Sequence, residues 1–107
     1  MTRFQVKVDD EAWREAMRAF WRIREEAPLN AERWLQGLSD AIESLEQMPR
    51  RCALARENEF FEEELRQLVF KSHRIVFTIR GDTVHVLFIR HVARRTIGEV
   101  EDEGADR

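Results

Sequence analysis

The feature that most constrains this chain is a pair of alternating apolar runs joined by Gly81-Asp82. Ile75, Phe77 and Ile79 precede the junction, and Val84, Val86 and Phe88 follow it, at the period-two spacing of strands with one buried face. Glycine first in a two-residue loop suits a type II′ turn, whose twist matches that of the strands it joins. The spacing predicts strands over 65–71, 74–80 and 83–91, the last two pairing Arg80–Thr83, Ile79–Val84, Phe77–Val86 and Ile75–Phe88. In that register the six apolar residues share one face. Arg74, Val76, Thr78, His85, Leu87, Ile89 and His91 fall on the opposite, open face, with Arg74 paired to Ile89 and diagonal to His91. Alternation turns Arg66 inward unless a bulge reverses it, and the sequence leaves that choice open.

One apolar sheet face needs cover, and the first half of the chain supplies it. Phe4, Val6 and Val8 alternate with Arg3, Gln5 and Lys7, the pattern of a strand with one wet face. Asp9 or Asp10 then caps a helix whose stripe is Trp13, Ala16/Met17, Phe20 and Ile23, ending before Pro28. Asn30 is the next cap, followed by Ala31, Trp34/Leu35, Leu38, Ala41/Ile42, Leu45 and Met48 up to Pro49. Two amphipathic helices joined by two or three residues make an antiparallel helical hairpin. Trp13 and Trp34 read as core anchors, Trp21 as a surface residue. From Arg50 to Glu63 the pattern dissolves into a charged loop, with a helical turn and Phe60 and Phe61 as its anchor. The fold class is α+β, in the order β-α-α-β-β-β, with a helical hairpin packed on an antiparallel sheet.

At 107 residues the chain is long enough for one core without metals or disulfides. Residues 1–97 form that domain; the acidic segment 98–107 lacks the apolar residues to order itself and reads as a mobile tail. Cys52 is alone, which excludes an internal disulfide and fits a reducing cytosol. The N-terminus carries charges where a signal peptide needs an apolar run, and no stretch is long enough to span a bilayer. These features place the chain in the cytoplasm. Three scattered histidines do not make a metal cluster, and four dispersed glycines do not make a nucleotide-binding loop, so neither metal nor cofactor is expected.

Charge is distributed unevenly. The overall formal charge is −3, yet Leu65–Ile97 contains seven Lys/Arg and one Asp, a net of +6. A basic sheet in an acidic chain points to an anionic partner. Lys71, Arg90, Arg94 and Arg95 are the candidate contacts. Arg74 beside His91 also suits phosphate chemistry, since a guanidinium holds a phosphodiester bidentately and imidazole exchanges protons near neutral pH. The alternative is a solvated face with unrelated basic residues.

The ordered segments Trp34-Leu-Gln-Gly-Leu, Ala41-Ile-Glu-Ser-Leu with Pro49, Leu65-Arg-Gln-Leu, His73-Arg74-Ile-Val-Phe, Gly81-Asp82-Thr-Val and Ile89-Arg90-His91-Val-Ala-Arg94 resemble the RelE/ParE superfamily of toxins. These belong to type II toxin–antitoxin and plasmid-stabilisation modules, and the family fold has the same element order. One branch cleaves mRNA on the ribosome; the other poisons DNA gyrase without chemistry of its own. By position Arg66, Arg74 and His91 match family motif residues. In the nuclease branch, and so in the first reading of this chain, Arg74 would stabilise the transition state and His91 would move the proton. The departures are the absence of Tyr, Val92 after His91, and His73 where many relatives place Tyr. The resemblance implies growth inhibition, a cognate antitoxin, and either the ribosome with its mRNA or gyrase as target; an inactive, antitoxin-binding relative is the remaining alternative. Val76, Leu87 and Ile89 on the open face would suit the antitoxin contact.

Overall fold

The computed structural model describes residues 3–94. Its elements are β1 (Gln5–Val8), α1 (Asp10–Glu26), α2 (Pro28–Glu43), β2 (Arg66–Phe70), β3 (His73–Arg80) and β4 (Thr83–His91). Three short 3-10 turns, Ser44–Glu46, Pro49–Arg51 and Arg56–Phe60, lie between α2 and β2. The expected α+β order is therefore present. Arg95 and the acidic tail from Gly98 lie outside the described residues.

The sheet runs β1-β4-β3-β2, antiparallel except that β1 lies parallel to β4. The helical hairpin covers one face, with Ala31, Trp34, Leu38, Ile42 and Leu45 of the second helical segment packed on Ile75, Phe77, Val84, Val86 and Ile89. In α1 the buried stripe is Ala12, Ala16, Ala19 and Phe20. Alanine lets that helix lie close to β4, and this displaces Trp13 from the expected core to the shoulder, 36% exposed. Trp21 is a surface residue as expected, and Met48 leaves the α2 stripe for solvent.

The helices are joined by Ala27 alone, because Pro28 begins α2 rather than merely ending α1. Proline suits a first helical position, where its missing N–H has no intrahelical partner. Asn30 is accordingly inside the helix and caps nothing. Asp9 occupies the N-cap of α1 without a side-chain cap bond, leaving Asp10 and Glu11 to favour the helix dipole from its first turn. α2 gives way to a 3-10 turn at Ser44, and Met48 adopts a left-handed conformation (φ 47°) before Pro49.

Gly81 sits at φ 62°, whereas Asp82 is not among the residues of positive φ, which identifies the expected II′ turn. The hairpin pairs as expected from Arg80–Thr83 to Phe77–Val86. There the register shifts: Val76 faces Phe88, Ile75 faces Ile89, Arg74 faces Arg90 and His73 faces His91. Leu87 is the extra residue of a β-bulge, and every side chain beyond it changes face. Ile89 and His91 thereby join the helix side, and Phe88 and Arg90 the other. The expected pairs Ile75–Phe88 and Arg74–Ile89 do not form.

Nor is the second face open. Residues 53–65 fold across it, closed on themselves by Ala55 N–H to Leu65 O (2.8 Å) and joined to β2 by Gln67 N–H to Ala53 O (3.0 Å). Ala55, Leu65 and Val76 form a second small core there, flanked by Leu87 and Phe88. Val76 is fully buried under this cover and Ile89 under the helices, so neither can offer the free apolar surface expected of an antitoxin contact. Gly81→Ala should cost about 1 kcal/mol, because a Cβ disfavours positive φ, and urea unfolding would measure it.

Candidate functional site

The residues singled out for phosphate chemistry separate into two environments, one on each side of the β3–β4 ladder. On the loop-covered side, Arg74 is 1% exposed. Its Nη1 and Nη2 donate to Glu57 Oε1 (2.9 Å) and Oε2 (2.7 Å), and Nη1 also donates to Gln67 Oε1 (2.9 Å). Glu57, on the Arg56–Phe60 turn, is itself fully buried. A planar guanidinium meeting a carboxylate with two parallel bonds is the strong form of ion pair, and here it is shut away from solvent. Arg74 therefore lacks the free fork that gripping a phosphodiester requires.

His91 lies across the sheet from it, placed on the helix side by the bulge. Its ring stands edge-on to His73, with centroids 5.3 Å apart, and His73 meets Trp34 at the same separation. The Ala93 N–H donates to His91 Nδ1 (3.0 Å), so the neutral ring carries its proton on Nε2. His73 is buried, and burial, then His91 and Arg22, hold its pKa below the ordinary 6.5. The adjacency of Arg74 and His91 drawn from simple alternation is thus absent.

Most of the other candidate cations are also engaged. Arg66 alternates with Leu68 and Phe70 and so belongs to the helix side of β2, which settles its face. Its Nη1 donates to the carbonyls of Cys52 (2.6 Å) and Arg50 (3.2 Å), and Nε donates to Glu64 (3.3 Å). Arg94 bonds both oxygens of Glu15 (3.0 and 2.9 Å). Arg90 is half-buried, and burial followed by the Arg94 charge lowers its pKa. Lys71 is exposed, its ammonium 5.9 Å from the Phe70 ring centre. Cys52 is buried and its thiol is pushed up in pKa by that burial, the state of a packing residue.

Reading from sequence missed Glu57, one of five glutamates between Glu57 and Glu64 and marked by nothing in its neighbours. It also missed the bulge, and with it the joining of His73 to His91. Among the described residues no group of three or more His, Cys, Asp or Glu could hold a metal ion, and no helix is long and apolar enough to cross a membrane.

A family model described as the ParE toxin of the type II toxin–antitoxin system parDE matches residues 6–96. The chain belongs to the ParE toxin family. ParE-family membership implies an antitoxin partner. A solved structure titled the chromosomal ParDE TA system from P. aeruginosa superimposes with a TM-score of 0.69, over 82% of this chain and 95% of that one. At 18% identity it is a likeness of fold. No curated protein is detectably similar to the chain.

Two outcomes follow from the geometry of this ParE chain. Glu57→Gln should cost about 3–5 kcal/mol, because it leaves a buried guanidinium uncompensated, whereas Glu57→Leu with Arg74→Met should recover most of that loss in urea unfolding. The second concerns His73. Its folded-state pKa lies below that of the unfolded chain, so the unfolded state binds the proton more readily. Stability should be full above about pH 6.5 and fall as pH drops through the folded value; His73→Phe should flatten that slope in melts across the range.

Proposed function

We propose that this ParE-family chain is the toxin of a type II toxin–antitoxin pair and arrests growth by binding its target, DNA gyrase, rather than by cutting RNA. The observation that carries this reading is the bidentate pair of Arg74 with fully buried Glu57. An RNA-cleaving site needs a cation on the scissile phosphate and a proton-transfer group within hydrogen-bond reach of the reacting oxygens. Here the arginine that matches the family motif is neutralised and enclosed, and the histidine stands on the other side of the sheet. The match to the ParE branch, the one that acts on gyrase, supports the same target.

A second reading, ribosome-dependent mRNA cleavage, draws support from His91 itself. It is exposed, and with Nδ1 accepting the Ala93 N–H its Nε2 is the nitrogen left to meet a substrate. In that case His91 would be the acid/base group, assisted by exposed cations such as Lys71 and not by Arg74.

Induced expression in a bacterial host separates the two. The expected result is growth arrest with covalent gyrase–DNA complexes and an SOS response, while RNA 5′ ends stay unchanged. New codon-linked RNA ends that vanish in His91→Ala would instead establish cleavage. Arg74→Ala is a poor probe of either, since it unpins the loop that covers the sheet.

A further inference from the structure

A cleft of about 300 Å³ opens between the helical hairpin and the β2–β3 turn. Buried Ala19 and Trp34, with half-buried Ile23, form its apolar floor. Its polar side is Arg22 of α1, Lys71 of the turn, and the facing pair His73 and His91. The volume sits at the lower end of the range for small-molecule sites. The described residues that line it include no carboxylate.

Three features set this cleft apart from a surface crease. Arg22 and Lys71 make no salt bridge among the described residues, whereas Arg66, Arg74, Arg80 and Arg94 each do. His73 Nδ1 is buried with no hydrogen-bond partner among the described residues, a costly state for a polar atom. Lys71, first residue of the two-residue β2–β3 loop, is held at φ 53° by that turn, which fixes its backbone at the cleft. Two cations without a salt bridge, one of them on a fixed turn, and a pair of facing imidazoles line the same cleft.

We propose that this cleft binds a phosphate group, Arg22 and Lys71 holding its oxygens, the two imidazoles donating to it, and the apolar floor receiving the sugar or base that carries it. The phosphate belongs either to a free nucleotide or to the backbone of a nucleic acid. The cleft is separate from the Arg74 face, so the inference stands whichever target the toxin takes.

Binding is coupled to protonation. The charges around the histidines are Arg22 and Glu15 on α1, Lys71 on the turn, and Arg94 beyond β4; Glu15 is bonded by Arg94, and from α2 the facing side chain is Trp34. Without an anion, burial, then His91 and Arg22, disfavour a charged His73, with Glu15 opposing them. A bound phosphate reverses the local field and favours the imidazolium, so affinity rises as pH falls.

Imidazole NMR signals of the full chain, followed at constant ionic strength, test this directly. The probes are inorganic phosphate, a 5′-mononucleotide, and a short single-stranded oligonucleotide without terminal phosphates. His73 and His91 should both shift saturably, and the oligonucleotide, whose diester charge is constant over this range, should bind severalfold tighter at about pH 6 than at about pH 7.5. Arg22→Gln with Lys71→Gln should weaken binding about tenfold while leaving the urea midpoint in place. Tighter binding of the oligonucleotide would assign the phosphate to a nucleic acid, and tighter binding of the mononucleotide to a free nucleotide; either supports the site. The inference is overturned if neither imidazole responds to any of the three probes, or if the double variant binds them as the wild type does.

Discussion

The architecture depends on the enclosed pair of Arg74 and Glu57. An arginine on an interior strand of a sheet cannot be buried without a counter-charge, since the desolvation of an unpaired guanidinium is too costly. Glu57 supplies that charge from a turn between α2 and β2, and in doing so fixes residues 53–65 over the face the helices leave uncovered. Val76 and Thr78 can then be buried on a side of the sheet where no helix packs. Such pairs contribute little net stability compared with apolar replacements, but a packing that separated the partners would leave an uncompensated buried charge. Here the pair ties one segment to one strand position, and the sheet becomes buried on both faces.

The bulge at Leu87 is the second constraint, and it shows why the fold was legible in the sequence while the site was not. Element order and type follow from apolar spacing, and the helical hairpin and the Gly81 turn each carry a local chemical signature. Between Val84 and Ile89 every residue except His85 is apolar, so both phases of the alternation look equally buried. A one-residue slip inside such a run leaves no trace in the pattern, yet it moves His91 from beside Arg74 to beside His73. The same ambiguity affected Trp13. Its spacing fits the α1 stripe, but the three alanines at Ala12, Ala16 and Ala19 define a narrower one that seats the helix closer to the sheet.

Charge misled for a related reason. The basic excess of the last third was counted along the chain, whereas the counter-charges come from elsewhere in it. Glu15, Glu57, Glu63 and Glu64 pair respectively with Arg94, Arg74, Arg80 and Arg66. The acidic run before β2 is therefore the complement of the sheet it precedes. Exposed pairs such as Arg80–Glu63 add little stability, but they cancel much of the field a basic sheet would project. Part of the positive character that persists lies around Arg22 and Lys71, which line a cleft with the two histidines and form no salt bridge among the described residues.

This bears on how a family motif is read. The resemblance read from the sequence sets Arg66 and Arg74 at motif positions and implies a role in phosphate chemistry for them. In this chain both direct their guanidinium groups onto the same stretch of backbone and turn, Arg66 onto the carbonyls of Arg50 and Cys52, Arg74 onto Glu57. Two arginines on neighbouring strands thus anchor the approach to the segment that seals the sheet and the first turn within it. A residue type can recur at a position because the fold needs it there, and donors used this way have little left to offer a substrate. A contact for an anion has to be sought among side chains that the fold leaves without a counter-charge, and Arg22 and Lys71, on the helix side of the bulge, are two of these.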